Sequence, residues 1–250
     1  PRWQGGGATG DKLNATLGGP LDGVMAEYRA CDAEAVWPVP AHLSDVQAAT
    51  LPVAALTAWS TLFTHGGLRP GERVLVQGTG GVSLFALQFA CAAGARVFVT
   101  SSDDAKLARA LGMGAEAGLN YRREPGWGAR AKEWAGGDGV DLVVEVGGEK
   151  TLAESLRAVR VGGQLALIGV LTGGKFDLAL GPVVTRHVRL QGITVGHRDG
   201  FAAMCRALAE SRIEPVVDRV FGFDELHAAL DYLESGRHFG KICLAFPPAP

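Results

Sequence analysis

Apolar residues fall along this chain in two alternating patterns: short unbroken runs, and longer stretches at helical spacing. The clearest run is Val74–Gln77. It is followed by an apolar helical stretch, Leu84–Ala93, for which Gly94 fits as the C′ residue. A second run, Arg96–Thr100, leads to a helix over Asp103–Leu111, with Ser102 as N-cap and Gly112 as stop. A short run at Gly118–Tyr121 comes next, then helical spacing around Ala129–Trp134. Asp141–Val146 reads as a strong strand ending in Gly147-Gly148. A helix at Thr151–Val159 leads to a strand at Gln164–Gly169, and a last strand spans Val188–Val195. These runs are apolar at nearly every position, as strands are when both faces of their sheet are covered. Their alternation with helices predicts parallel βαβ units. The fold class is therefore α/β, a doubly wound parallel sheet of about six strands.

The junction between the first run and its helix carries chemistry. Gly78-Thr79-Gly80-Gly81-Val82 turns the chain from strand to helix without a spacer. Glycine admits positive φ and lets backbone approach a ligand, and the helix start offers unpaired N–H groups and a positive dipole end. Gly78 makes the tight turn and Gly80 admits a pyrophosphate, in the manner of a Rossmann dinucleotide site. The third small position is Ser83, a departure from Gly or Ala. At the tip of the second strand an NAD site places an acid to hold the ribose 2′-OH. Thr100-Ser101-Ser102 stands there instead, with Lys106 one helical turn on. Hydroxyls and an ammonium suit a 2′-phosphate. Asp103 and Asp104 are read as charges that complement the helix dipole. NADP(H) is predicted in preference to NAD(H).

Several ordered segments carry a family resemblance. They are Gly19–Tyr28, Ala49–Trp59, Val74–Val82, Leu119–Arg122 and His238–Ile242. Together they resemble the medium-chain dehydrogenase/reductase superfamily, above all its zinc-independent quinone oxidoreductase and NAD(P)-dependent alcohol dehydrogenase-like branch. The resemblance implies that Thr57 lies near the nicotinamide and that Ser101, Lys106 and Tyr121 hold the 2′-phosphate. It implies a nicotinamide pocket lined by Val146, Gly147, Gly169, Val170 and residues 193–195, ending in Val195. It also implies that Phe239-Gly240-Lys241 returns to the cofactor cleft. Such proteins carry a GroES-like, β-rich catalytic domain before the cofactor domain. Residues 1–45 resemble its tail, with Gly23–Ala30 as a strand. Residues 46–212 form the Rossmann domain, and residues 213–250 return to the catalytic domain. A catalytic acid is expected upstream of Pro1, so none is assigned. Relatives pair their last sheet strand, here Val188–Val195, across a two-fold axis, so a homodimer is expected.

Zinc is not expected. Val53 stands where zinc-dependent members carry a Cys or His ligand. The four cysteines lack C-x-x-C spacing and the six histidines lack H-x-x-x-H spacing. Cys91 and Cys243 read as small core residues. A net charge of −2 gives no footing for nucleic acid or an anionic membrane surface. No unbroken apolar run approaches ~18 residues, so no membrane span is expected. Scattered cysteines fit the reducing cytoplasm. Residues 247–250 read as a frayed tail. The function expected is hydride transfer from NADPH to a small carbonyl, quinone or activated enone without zinc. The alternatives are a secondary alcohol dehydrogenase, an enoyl reductase, or an NADPH-binding module without turnover.

Overall fold

A computed structural model describes residues 2–246; the expected tail at 247–250 lies outside them. Six parallel strands form one sheet: β1 Arg73–Gln77, β2 Arg96–Ser101, β3 Ala117–Asn120, β4 Val140–Glu145, β5 Val159–Leu167 and β6 Arg189–Gly192. Their order is β3-β2-β1-β4-β5-β6. The chain leaves β1 in one direction and returns on its other side at β4, so the sheet's topological switch point lies between these two strands. In open parallel sheets ligands bind at such a point, beyond the C-terminal ends of the strands.

Successive side chains explain why the strands are apolar throughout. Val74, Val76, Val97, Val99 and Val144 face one core, against helices Gly81–Ala92 and Arg198–Ser211. Leu75, Phe98, Val143 and Leu165 face the other, against Trp127, Leu152 and Leu156. The period-two alternation is between two buried faces.

Several expectations are corrected. Asp103, not Ser102, caps helix Asp104–Gly112: its carboxylate accepts from the Lys106 N–H at 2.9 Å. Gly112 is the last helical residue, and Gly114 takes the positive φ of the turn (106°). β5 begins at Val159, earlier than expected, and β6 ends at Gly192. No strand forms over residues 23–30, because that segment is exposed throughout and meets no partner strand among the described residues. An apolar stretch long enough for a membrane does occur, in the 21-residue helix Asp45–His65. Leu51, Ala55, Ala58 and Leu62 of that helix are fully buried in the first core, which accounts for its composition.

Beyond the main sheet, β7 Val217–Gly222 and β8 Lys241–Ala245 pair in parallel across helix Leu226–Glu234. Gly240, immediately before β8, bridges Gly80 in the turn that follows β1.

Candidate functional site

The glycine turn has the geometry its sequence requires. Gly78 has φ 72°, and its N–H donates to the Thr100 carbonyl of β2 at 2.8 Å. A Cβ at Gly78 or at Gly80 would meet nothing within 4 Å. Backbone is therefore exposed in an open cradle. Gly80 caps helix Gly81–Ala92 without any side-chain hydrogen bond, so no side chain competes with an anion for the first turn. The departure at Ser83 also has a reason. Its buried hydroxyl donates to the Gln77 carbonyl at 2.7 Å and ties the helix to the strand end.

The return segment clasps this turn. Gly240 N–H donates to the Thr79 carbonyl at 2.9 Å, and Gly80 and Gly240 form a parallel bridge. A Cβ at Gly81 would run into the Lys241 side chain, so that aliphatic stem lies across the turn. Phe239 is buried, with the Arg109 guanidinium 3.9 Å from its ring centre. Thr79, Gly80, Gly81, Phe239 and Lys241 are thus brought together.

At the tip of β2, Ser101 is buried, and its hydroxyl accepts from the Asp103 N–H at 3.2 Å. Ser102 is half-buried beside it. The Tyr121 N–H donates to the Ser101 carbonyl at 3.0 Å, which seats Tyr121 next to the serine. Asp104 turns to Asn120 and Arg123. Lys106 is engaged elsewhere: its ammonium donates to the Gly236 carbonyl at 2.5 Å. His238 lies in the same region. Burial pushes its pKa down, and the Lys106 and Lys241 charges add to this against the opposing pull of Asp218.

The loops after β4 and β5 touch through backbone. Thr172 donates to the Gly147 carbonyl from its N–H (2.8 Å) and its hydroxyl (3.1 Å). A Cβ at Gly169 would overlap the Val146 carbonyl oxygen. Val170 is largely exposed on the rim. Val195 has φ 45°, a strained conformation for a β-branched residue. Val82 is half-buried in the first turn of helix Gly81–Ala92. Thr57 is buried, and its hydroxyl donates to the Val53 carbonyl at 2.7 Å, so it serves its own helix.

One cluster was not foreseen. Glu145, at the end of β4, is 1% exposed. Its carboxylate accepts from Gln77 Nε2 (2.7 Å), Gly147 N–H (2.8 Å), Gly148 N–H (3.0 Å), Thr151 Oγ1 (2.5 Å) and the Ser155 hydroxyl. The signal lay in the sequence as Gln and Glu closing two otherwise apolar strands.

A nicotinamide dinucleotide fits the open cradle and the uncapped helix start. Among the described residues no group of three or more His, Cys, Asp or Glu converges, and Val53 is exposed and apolar. Burial pushes the Cys205 thiol up to about 11 and raises Cys91 and Cys243, so these thiols are poor nucleophiles.

Residues 81–210 match the family described as zinc-binding dehydrogenase. A zinc-type alcohol dehydrogenase-like protein of Schizosaccharomyces pombe is 42% identical over 237 residues, covering 92% of this chain and 68% of that protein. Another of the same description from Leptosphaeria maculans is 30% identical, over 89% of this chain and 64% of that one. The chain thus spans about two thirds of these relatives. A solved Sinorhizobium meliloti structure of the alcohol dehydrogenase type superposes with TM-score 0.91 at 40% identity, covering 98% of this chain and 72% of that one. The cradle, the strand order and these likenesses agree: the chain belongs to the zinc-binding dehydrogenase family, within the medium-chain dehydrogenase/reductase superfamily.

Proposed function

We propose that this chain is the NADP(H)-holding part of an oxidoreductase that passes hydride to a small carbonyl, quinone or activated enone without a catalytic zinc. The observation that carries the cofactor reading is Ser101 at the tip of β2, where an acid would repel a 2′-phosphate. Ser102 and Tyr121 stand beside it. The dihydronicotinamide, when bound, supplies the hydride. The protein's part is placement. The N–H of Val82 in the first helical turn receives the pyrophosphate, Lys241 lies across it, and the loops after β4 and β5 bound the nicotinamide end. Val53 supports the zinc-free reading. Free thiols at all four cysteines support a reducing compartment.

Lys106 offers the test of this preference. Its ammonium has further N–H donors beyond the one given to Gly236. In a fluorescence titration, NADPH is expected to bind about tenfold or more tighter than NADH. Lys106→Gln is expected to remove about tenfold of NADPH affinity and leave NADH unchanged, the size of one charge-assisted hydrogen bond. Equal affinity for the two cofactors would overturn the NADP(H) reading. A second reading, NAD(H), is favoured by the engagement of Lys106 with Gly236 and by a 33% identical solved structure named as an NAD-dependent alcohol dehydrogenase. Turnover of a quinone and enone panel separates an enzyme from a binding module.

A homodimer through β6 belongs to the same proposal. Among the described strands, β6 has β5 as its one partner, so its other edge is free to pair. Light scattering is expected to give twice the chain mass, and a clean monomer would rule the pairing out.

A further inference from the structure

We infer that Glu145 and Gln77 are a positioning pair that fixes the nicotinamide-side loop, residues 146–148, against the pyrophosphate turn. This rests on the cofactor reading above. The β1–β4 ladder runs Val74↔Leu142, Leu75↔Val143, Val76↔Val144 and stops. The next cross-strand neighbours are Gln77 and Glu145, joined through side chains at 2.7 Å. Gln77 immediately precedes Gly78, and Glu145 immediately precedes Val146. The pair therefore ties together the two strand ends that border the switch point.

The chemistry of the pair is more than space-filling. Among the described residues Glu145 has no cationic partner, and a buried carboxylate is costly unless its lone pairs are satisfied. Here they are, by five donors from three places: β1, the helix that begins at Leu152, and the loop itself. Gln77 Oε1 accepts from the Val146 N–H at 3.2 Å, so the first three N–H groups after β4 all point into this cluster. A trans peptide sets C=O opposite to N–H. With the Gly147 N–H turned onto the carboxylate, the Val146 carbonyl points away from it. The carboxylate thereby orients the peptide groups of the loop, while the cradle at Gly78–Gly81 is held by other contacts.

The test compares two ligands. NADPH carries the nicotinamide; 2′-phospho-ADP-ribose lacks it. Wild type is expected to bind both. Glu145→Gln is expected to weaken NADPH about tenfold or more and to lose the enhanced emission of the bound nicotinamide. Its affinity for 2′-phospho-ADP-ribose should stay within about twofold. The exchange Gln77→Glu/Glu145→Gln should restore NADPH. The new amide at 145 keeps its oxygen toward Gly147, Gly148 and Thr151 and donates to the new carboxylate at 77. That carboxylate still accepts from Val146 and Ser155.

Unchanged NADPH binding in Glu145→Gln, an equal loss of both ligands, or failure of the exchange to restore binding would each overturn the inference. If Glu145→Gln does not fold, Thr151→Val carries the same comparison with an expected loss of about threefold for NADPH alone, and no loss overturns the inference. A wild-type protein that binds neither ligand overturns the cofactor reading, and this inference with it.

Discussion

Truncating Phe89 to alanine is expected to lower the unfolding free energy by about 3–5 kcal/mol. Phe89 is among the largest side chains with almost no exposed surface, on the inner face of helix Gly81–Ala92. Its ring lies 5.9 Å from that of Phe85, near parallel, and 5.7 Å from that of Trp59, edge-on. It therefore joins helix Gly81–Ala92 to helix Asp45–His65. Removing the ring leaves a void between two helices, each also packed elsewhere, so collapse is incomplete and the cavity cost remains. For a chain of this size the thermal midpoint should fall by roughly 10 °C, followed by circular dichroism. Phe89→Leu should recover most of the loss, leaving under about 1.5 kcal/mol. Cofactor affinity measured well below the midpoint should change by less than about threefold, because Gly81 lies two helical turns away. A loss under about 1 kcal/mol for Phe89→Ala would show that this seam repacks freely.

The main sheet was legible because its physics is local. β1, β2, β4 and β5 have both faces covered, and an unbroken apolar run between glycines is hard to place anywhere else. Ends were less legible. β5 continues back through Gly162-Gly163, residues that look like a turn, because the ladder to β4 shifts register there. Helix Arg198–Ser211 was not read. Its apolar face, Ala202, Met204, Cys205 and Leu208, alternates small side chains with large ones, and its N-cap is a histidine, whose ring nitrogen accepts from the Gly200 N–H. The strand expected over 23–30 needed a partner that the described residues do not provide.

The site divides along the same line. The turn from Gly78 to Ser83 reads directly, since positive φ, close approach and a free helix start are properties of consecutive residues. The clasp does not. Gly240 reaches Thr79 from 161 positions downstream, and Lys106 reaches Gly236 across 130. Only the family resemblance brought residues 239–241 to the cleft. Gln77 and Glu145 are 68 positions apart, and each alone looks like the polar end of a strand. Their meaning appears when parallel pairing sets them side by side.

Gly169→Ala is expected to damage both stability and chemistry through a single methyl group. No unusual backbone angle is involved at Gly169; the constraint is contact. A Cβ there would overlap the Val146 carbonyl oxygen and sit 3.0 Å from its carbon and 3.2 Å from its Cα. All three atoms are backbone, and residues 146–148 are already held by Gln77, Glu145 and Thr172. The loops after β4 and β5 must therefore separate. Overpacking of this kind costs roughly 2–3 kcal/mol, measurable by urea denaturation. On the proposed cofactor reading, the same displacement widens the nicotinamide end of the site, where a misplacement of ~1 Å costs about 100-fold in rate. Steady-state reduction of whichever quinone or enone the wild type accepts should show it, mainly in kcat. Gly174→Ala is the control in the same loop, since its Cβ would lie an ordinary 4.0 Å from Val170. It should leave stability within about 0.5 kcal/mol. If the two variants unfold and turn over alike, the contact between Gly169 and Val146 does not set the spacing of these loops, and the nicotinamide end of the site must be shaped by other residues.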